Sequence, residues 1–279
     1  MPGHSSTLES FLTEFHDARP GLTSKAFGAL PVLFREHEFP SSYEVLSAVV
    51  PRGAATIDVL DLACGDGYLL SLLASRSQPG LTLSGVDMSS SELSVARARL
   101  PTNITLRQAK AKHLPFRSGS FDYVLCHMAL MLMDDAECVL REIHHVLKPD
   151  AAFAAIVGAA PPPSPAFAAY VEILSKYPRQ AHLSEVRFGD RRFRSSEGIA
   201  EILSPAFEDV VVEDIHITRR LKPDDLWRRF LDMYDLYLLT EVDRRTVARE
   251  YLSAVGPLCP ADGMLEYRET LRYVSARAA

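Results

Sequence analysis

At 279 residues, with 47% hydrophobic and 24% charged side chains, the chain can bury a sizeable core as one large α/β domain or as a core with a smaller cap. A formal charge of −6 without a lysine-rich tail argues against nucleic acid as a partner, since that needs a basic footprint. Four cysteines (Cys64, Cys126, Cys138, Cys259) lie far apart with no Cys-x-x-Cys pair. They indicate neither a metal site nor a disulfide framework, and they fit a reducing, cytoplasmic compartment.

Glu9, Glu14 and Asp17 interrupt the apolar residues near the N-terminus, so no signal peptide is expected there. Residues 1–50 read as an N-terminal lid, mainly helical over Leu8–Val50. The core, residues 51–160, alternates strands with helices. Ile57–Leu62 reads as a strand, Tyr68–Ser75 as a helix and Leu81–Val86 as a strand; Ser90–Leu100 is a helix that Ser89 or Ser90 can cap. Ile104–Gln108 and Phe121–Met128 follow as strands, Glu137–Leu147 as a helix stopped by Pro149, and Ala151–Val157 as a strand. Such alternation predicts βαβ units and a parallel sheet covered on both faces. The longest apolar run, Ala151–Ala160, is shorter than the ~20 residues of a membrane span, so no membrane partner is expected.

Pro161–Pro163 reads as a rigid break, and residues 161–279 as cap helices plus the closing strands of the same domain. Helices are predicted at Pro165–Lys176, Ser196–Leu203 and, as one long segment, Pro223–Val255; strands are predicted at Phe207–Thr218 and Leu265–Ser275. Trp227, Phe230, Leu231, Tyr234 and Leu238 fall at helical spacing, the pattern of a core-facing stripe or of a roof over a ligand. The cluster Arg187, Arg191, Arg192 and Arg194 reads as a solvated loop, with steering of an anionic substrate as the alternative.

The chemical signal is Val59-Leu60-Asp61-Leu62-Ala63-Cys64-Gly65-Asp66-Gly67-Tyr68-Leu69: a buried strand, a turn with glycines two apart, then a helix. Asp87 follows Gly67 by twenty residues at the end of the next strand, where an acid can hold both ribose hydroxyls of an adenosine ligand. A dinucleotide turn wants a third glycine, and Leu70 stands in its place. Asp61 and Asp66 would also repel a diphosphate. A cofactor that carries a sulfonium and an ammonium but no phosphate suits this charge better, so S-adenosylmethionine is favoured over NAD.

With these residues the chain resembles the class I S-adenosylmethionine-dependent methyltransferases that act on small molecules, of the type 11 and type 25 kind. Four segments carry the resemblance: Leu60–Gly67; Gly85-Val86-Asp87-Met88-Ser89; Leu114-Pro115-Phe116 with Ser120–Val124; and Leu140–Ile143 with Val146–Pro149. It covers roughly Ile57–Val157. It implies a Rossmann-like, doubly wound, seven-stranded sheet with the last strand antiparallel, a helical N-terminal lid and a helical cap insertion. It also implies that Asp61, Ala63, Gly65 and Gly67 surround the methionine part of the cofactor. Asp87 would then hold the ribose and Met88 the adenine, with Ala111 and Lys112 at the adenine edge and Cys126 and His127 facing the sulfonium.

Three positions depart from the family. Lys110 stands where an acidic residue is usual and cannot accept a hydrogen bond from the adenine. Asp150-Ala151 replaces a glycine pair, and Ala63 a glycine.

Methyl transfer from a sulfonium is an in-line displacement that alignment and exclusion of water can drive, with a general base only where the acceptor must lose a proton. His127 is the candidate base. Phe27, His37, Tyr43, Met131, Trp227 and Tyr234 are candidate lid or substrate residues. The acceptor atom (O, N, S or C), a place in secondary metabolism and the oligomeric state are left open. The rival from another class is a non-catalytic protein that binds an adenosine ligand on the same fold.

Overall fold

The computed structural model of the protein describes residues 7–53, 55–160 and 162–279; the first six residues of the expected lid, and Pro161 of the expected proline break, lie outside them. Contacts divide the chain into two compact units. The first takes in the described residues up to Ala160 with Arg187–Ile215 and Leu271–Ala279, and the second those of Pro161–Val186 and His216–Thr270.

In the first unit, helix α1 (Thr7–Ala18) buries Leu8, Phe11, Leu12 and Phe15, one stripe at three- and four-residue spacing. A short helix α2 (Leu22–Phe27) follows. The chain then forms a hairpin, β1 (Val32–Phe34) antiparallel to β2 (His37–Phe39). The lid region is therefore not helical throughout. Arg35 and Glu36 make the two-residue turn, both at positive φ, which suits the right-handed twist of a hairpin. Helix α3 (Ser42–Ser47) is capped by Ser41, whose Oγ accepts from the Glu44 N–H at 3.3 Å.

Five parallel strands form the core: β3 (Ile57–Leu62), β4 (Leu81–Asp87), β5 (Thr105–Gln108), β6 (Phe121–His127) and β7 (Leu147–Gly158). Helices α4 (Tyr68–Ala74), α5 (Ser90–Arg99) and α6 (Ala136–Val146) make the crossovers. Helix α6 presents Val139, Leu140, Ile143 and Val146 to Val124, Cys126 and Phe153 of the sheet. Helices α7 (Pro165–Ser175) and α8 (Ser196–Leu203) precede β8 (Phe207–Leu221), and β9 (Leu265–Ala278) ends the order of elements. The sheet runs β2-β1-β8-β9-β7-β6-β3-β4-β5, with β9 antiparallel to β7. The seven expected strands are all present and the last is antiparallel; the β1–β2 hairpin adds two at the edge.

The second unit has its own core, in which Tyr170 and Ile173 of α7 meet Leu226, Trp227, Phe230, Val247 and Tyr251. The long helical segment expected over Pro223–Val255 is interrupted. Helix α9 (Pro223–Phe230) gives way to one 3-10 turn, Tyr234–Leu238, before α10 (Glu241–Val255). Met233 and Leu239 are extended, and Thr240 restarts the helix by accepting from the Asp243 N–H at 3.2 Å. Among the described residues, no helix is long and apolar enough to cross a membrane.

Candidate functional site

Parallel strands leave their C-terminal ends open to a ligand where the sheet order reverses. Here that point lies between β3, which continues to β6 on one side and β4 on the other. Asp61 pairs in register with Gly85 and Leu125, so its carboxylate stands at the reversal. It is 2% exposed, and its Oδ2 has no hydrogen-bond partner among the described residues. Burial raises its carboxyl well above the ordinary range, and the charges of Asp87 and Asp66 raise it further.

The turn after β3 is backbone-strained: Ala63, Gly65 and Gly67 all have positive φ, of 56°, 51° and 76°. The two glycines differ in purpose. A side chain at Gly65 would meet nothing nearer than the Glu92 carboxylate at 3.8 Å. One at Gly67 would strike Leu100 at 2.7 Å and Ala96 at 3.2 Å, so Gly67 serves the approach of α5. The missing third glycine has a counterpart on β4. A Cβ at Gly85 would strike Leu70 and Cys64, both at 2.8 Å, so Gly85 supplies the close helix–strand packing.

Asp87 lies at the end of β4, and its two oxygens accept from the Gly65 N–H at 2.9 Å and the Ser89 N–H at 2.8 Å. Burial raises its carboxyl, and those two donors partly offset the rise. Asp66 accepts from Ser24 Oγ at 2.5 Å and pairs with Arg99 at 2.7 Å. Sequence reasoning missed Glu92, a fourth acid of the site, carried on α5 and buried like Asp61 and Asp66. Its Oε1 lies 3.0 Å from His16 Nδ1, and its Oε2 accepts from the Gly21 N–H at 2.8 Å. The spacing Ser89-x-x-Glu92 signals only the helix cap that Ser89 makes to the Glu92 N–H.

His127 ends β6 and is 5% exposed. Its Nε2 lies 2.9 Å from Ser42 Oγ, its ring stacks on Tyr43, and Phe27 meets it edge-on. Its Nδ1 has no partner among the described residues. Burial lowers its pKa to about 3, so the imidazole is neutral. Burial and the nearby carboxylates of Asp66, Asp61 and Glu92 push the Tyr43 phenol well up, which ties this aromatic group to the acid cluster.

The remaining expected residues divide. Phe27 and Tyr43 join His127. Met88, Ala111 and Met131 are half-buried around the strand ends, and Lys112 is held by Glu9 and Asp134 at 2.7 and 2.9 Å. The odd Lys110 pairs with Glu9 at 2.7 Å, so it fastens α1 where the family has an acid. The Cys126 side chain alternates away from His127 into the core with Val124 and α6, so only its backbone can face a ligand. Burial raises that thiol to about 12. His37 is exposed on β2, outside any lid helix. Trp227 is buried against Tyr251 in the second unit's core, and Tyr234 opens the 3-10 turn of that unit. In the arginine cluster, Arg192 is bound by Asp190 at 2.7 Å and Glu137 at 2.9 Å.

An orphaned buried carboxylate oxygen among three further acids has no use for a phosphate and wants a cation. The donor set fits a sulfonium-bearing adenosine cofactor. Residues 60–155 match the methyltransferase domain family, and over this part the chain is similar to S-adenosylmethionine-dependent methyltransferases. Sequence relatives are demethylmenaquinone methyltransferases. That of Lactobacillus johnsonii is 40% identical over 96 residues, which are 33% of this chain and 39% of that protein. That of Lactococcus lactis is 38% identical over 97 residues, 33% of this chain and 38% of that protein. The match thus spans less than half the length of these curated relatives. Among solved structures, the Haemonchus contortus phosphoethanolamine N-methyltransferase 2 in complex with S-adenosylmethionine aligns with a TM-score of 0.58 at 19% identity, over 100% of this chain and 61% of that one. The [4+2]-cyclase SpnF aligns at 0.56 and 18%, over 100% and 98%. At these identities the likeness is one of fold.

Proposed function

We propose that the chain transfers a methyl group from S-adenosylmethionine to a small-molecule acceptor. The observation that carries the reading is the orphaned Asp61 Oδ2, buried beside Asp66, Asp87 and Glu92 at the point where the sheet order reverses. The names of the relatives, demethylmenaquinone methyltransferases, support a quinone-like ring as the acceptor class.

The cofactor supplies a methyl group already activated on a sulfonium. Asp61 and the Gly65 turn hold the methionine end, and Asp87 with Met88 the adenosine. Phe27, Tyr43 and His127 form an aromatic wall that excludes water and aligns the acceptor with the methyl group. His127 enters neutral, its Nδ1 without a partner among the described residues, and a pKa near 3 suits it to orienting the acceptor rather than taking its proton.

The test is incubation with methyl-labelled S-adenosylmethionine and a panel of reduced naphthoquinones, phenols and amines, followed by mass spectrometry. Formation of S-adenosylhomocysteine with a labelled acceptor supports the proposal. Recovery of NAD from the gently denatured protein overturns it. Binding of S-adenosylmethionine without turnover on any acceptor favours a non-catalytic role.

A further inference from the structure

Resting on that reading, we propose that Glu92 is a positioning residue that couples the charge of the bound cofactor to closure of the N-terminal segment, residues 8–27. Its carboxylate belongs to the core through α5, yet it touches three things at once. It meets α1 at His16, the turn between α1 and α2 at the Gly21 N–H, and the space above the Gly65 turn.

The local chemistry explains why Glu92 is free to do this. Ser89 caps α5 by accepting from the Glu92 N–H at 3.1 Å, half of a capping box. In the full box the glutamate returns to the N–H of the capping residue. Here the Asp87 carboxylate takes the Ser89 N–H at 2.8 Å, so the Glu92 side chain turns outward to the N-terminal segment. Further ties follow the same rim. Asp17 accepts from Ser89 Oγ at 2.6 Å and the Ser91 N–H at 3.2 Å, and Glu9 pairs with Lys110 and Lys112.

The electrostatics give the coupling its direction. Four acidic side chains, the buried Asp61, Asp66 and Glu92 and the half-buried Asp87, share the site with the Tyr43 phenol and the Cys64 thiol. The facing basic groups are Arg99, on Asp66, and His16, on Glu92. A net positive cofactor relieves the repulsion among these carboxylates and lets Glu92 keep its hold on His16 and the Gly21 N–H. When the S–CH3 bond breaks and the acceptor–CH3 bond forms, the sulfur keeps the electron pair and becomes a neutral thioether. The positive charge passes to the methylated acceptor, which carries it away or sheds it as a proton; the pocket is left with a neutral thioether, the repulsion returns, and the segment loosens to release the product.

The experiment is hydrogen exchange of residues 8–27, read with calorimetric affinities, for the full chain alone and with S-adenosylmethionine or S-adenosylhomocysteine. In the wild type, exchange is expected to slow more with S-adenosylmethionine than with S-adenosylhomocysteine. In Glu92→Gln, exchange without ligand is expected to rise by about tenfold, and the difference between the two ligands to vanish while both still bind. His16→Ala, which alters only the α1 side, should raise exchange in the same segment and serves if Glu92→Gln does not fold. Unchanged exchange in the variants overturns the anchor. Equal protection by two ligands that calorimetry shows bound overturns the coupling. Absence of binding to the wild type overturns the cofactor reading itself, and the coupling with it.

Discussion

The Tyr43 ring lies on the His127 imidazole with centroids 3.5 Å apart and planes 18° from parallel, sealing the end of β6 from water. Burial holds this imidazole at a pKa of about 3, against about 6.5 in an unfolded chain. Between those values the unfolded chain binds a proton that the folded chain does not. Stability therefore rises with pH across this window and is lost as pH falls below about 6.5, with a slope approaching about 1.4 kcal/mol per pH unit from this group. Urea midpoints at pH 7 and pH 5 should separate more for the wild type than for His127→Gln. Equal separations would mean that another group sets the acid limit.

Asp61 carries the opposite sign from an ordinary structural carboxylate. Its pKa is raised in the fold, so ionisation at neutral pH opposes folding of the free protein. Asp61→Asn should raise ligand-free stability by about 1 kcal/mol or more while weakening S-adenosylmethionine binding at least about tenfold. Thermal unfolding and calorimetry check the two halves. A fall in ligand-free stability would show that Asp61 serves the fold and not the ligand.

The two glycines of the turn should separate in the same way. Gly67→Ala forces a methyl group onto Leu100 and Ala96 and should cost about 2–4 kcal/mol of stability, sparing the affinity of the protein that still folds. Gly65→Ala meets no close atom and should cost only the ~1–2 kcal/mol of a left-handed alanine, but it should impair cofactor binding. Denaturation midpoints and cofactor affinities of the pair decide; a matching profile for both variants refutes the division.

In the second unit, the hydroxyls of Tyr170 and Tyr251 are buried with no partner among the described residues, and burial raises both phenols. A buried polar group left unpaired costs about 1–3 kcal/mol, so Tyr170→Phe and Tyr251→Phe should leave the midpoint unchanged or raise it. A loss of stability on chemical denaturation would reveal that the hydroxyls are hydrogen-bonded in solution.

Much of this was legible in the residues, because the motifs bind one another. Lys148 reaches Asp58 and Asp122 at 2.9 and 2.7 Å, and Glu142 accepts from the Leu114 N–H at 2.8 Å. These ties fix strand order from short segments, so the segments reveal the core. The β1–β2 hairpin escaped because each strand has only three residues, too few to show a period. The break after Phe230 escaped because the apolar spacing runs on through the 3-10 turn. Glu92 escaped for a different reason. A glutamate three residues after a serine reads as half of a cap, and only the competing bond from Asp87 to the Ser89 N–H releases it for other use.

Strand β9 lies between β7 and β8, although β6, β7 and β8 all precede it in the chain. Until residues 265–278 have been synthesised, β7 presents the bare edge Ala152–Gly158, a run of small and apolar residues that pairs readily with the wrong partner. The nascent chain thus passes through a long interval of exposure. Its yield should depend more on translation speed and chaperone supply than the stability of the finished fold would suggest.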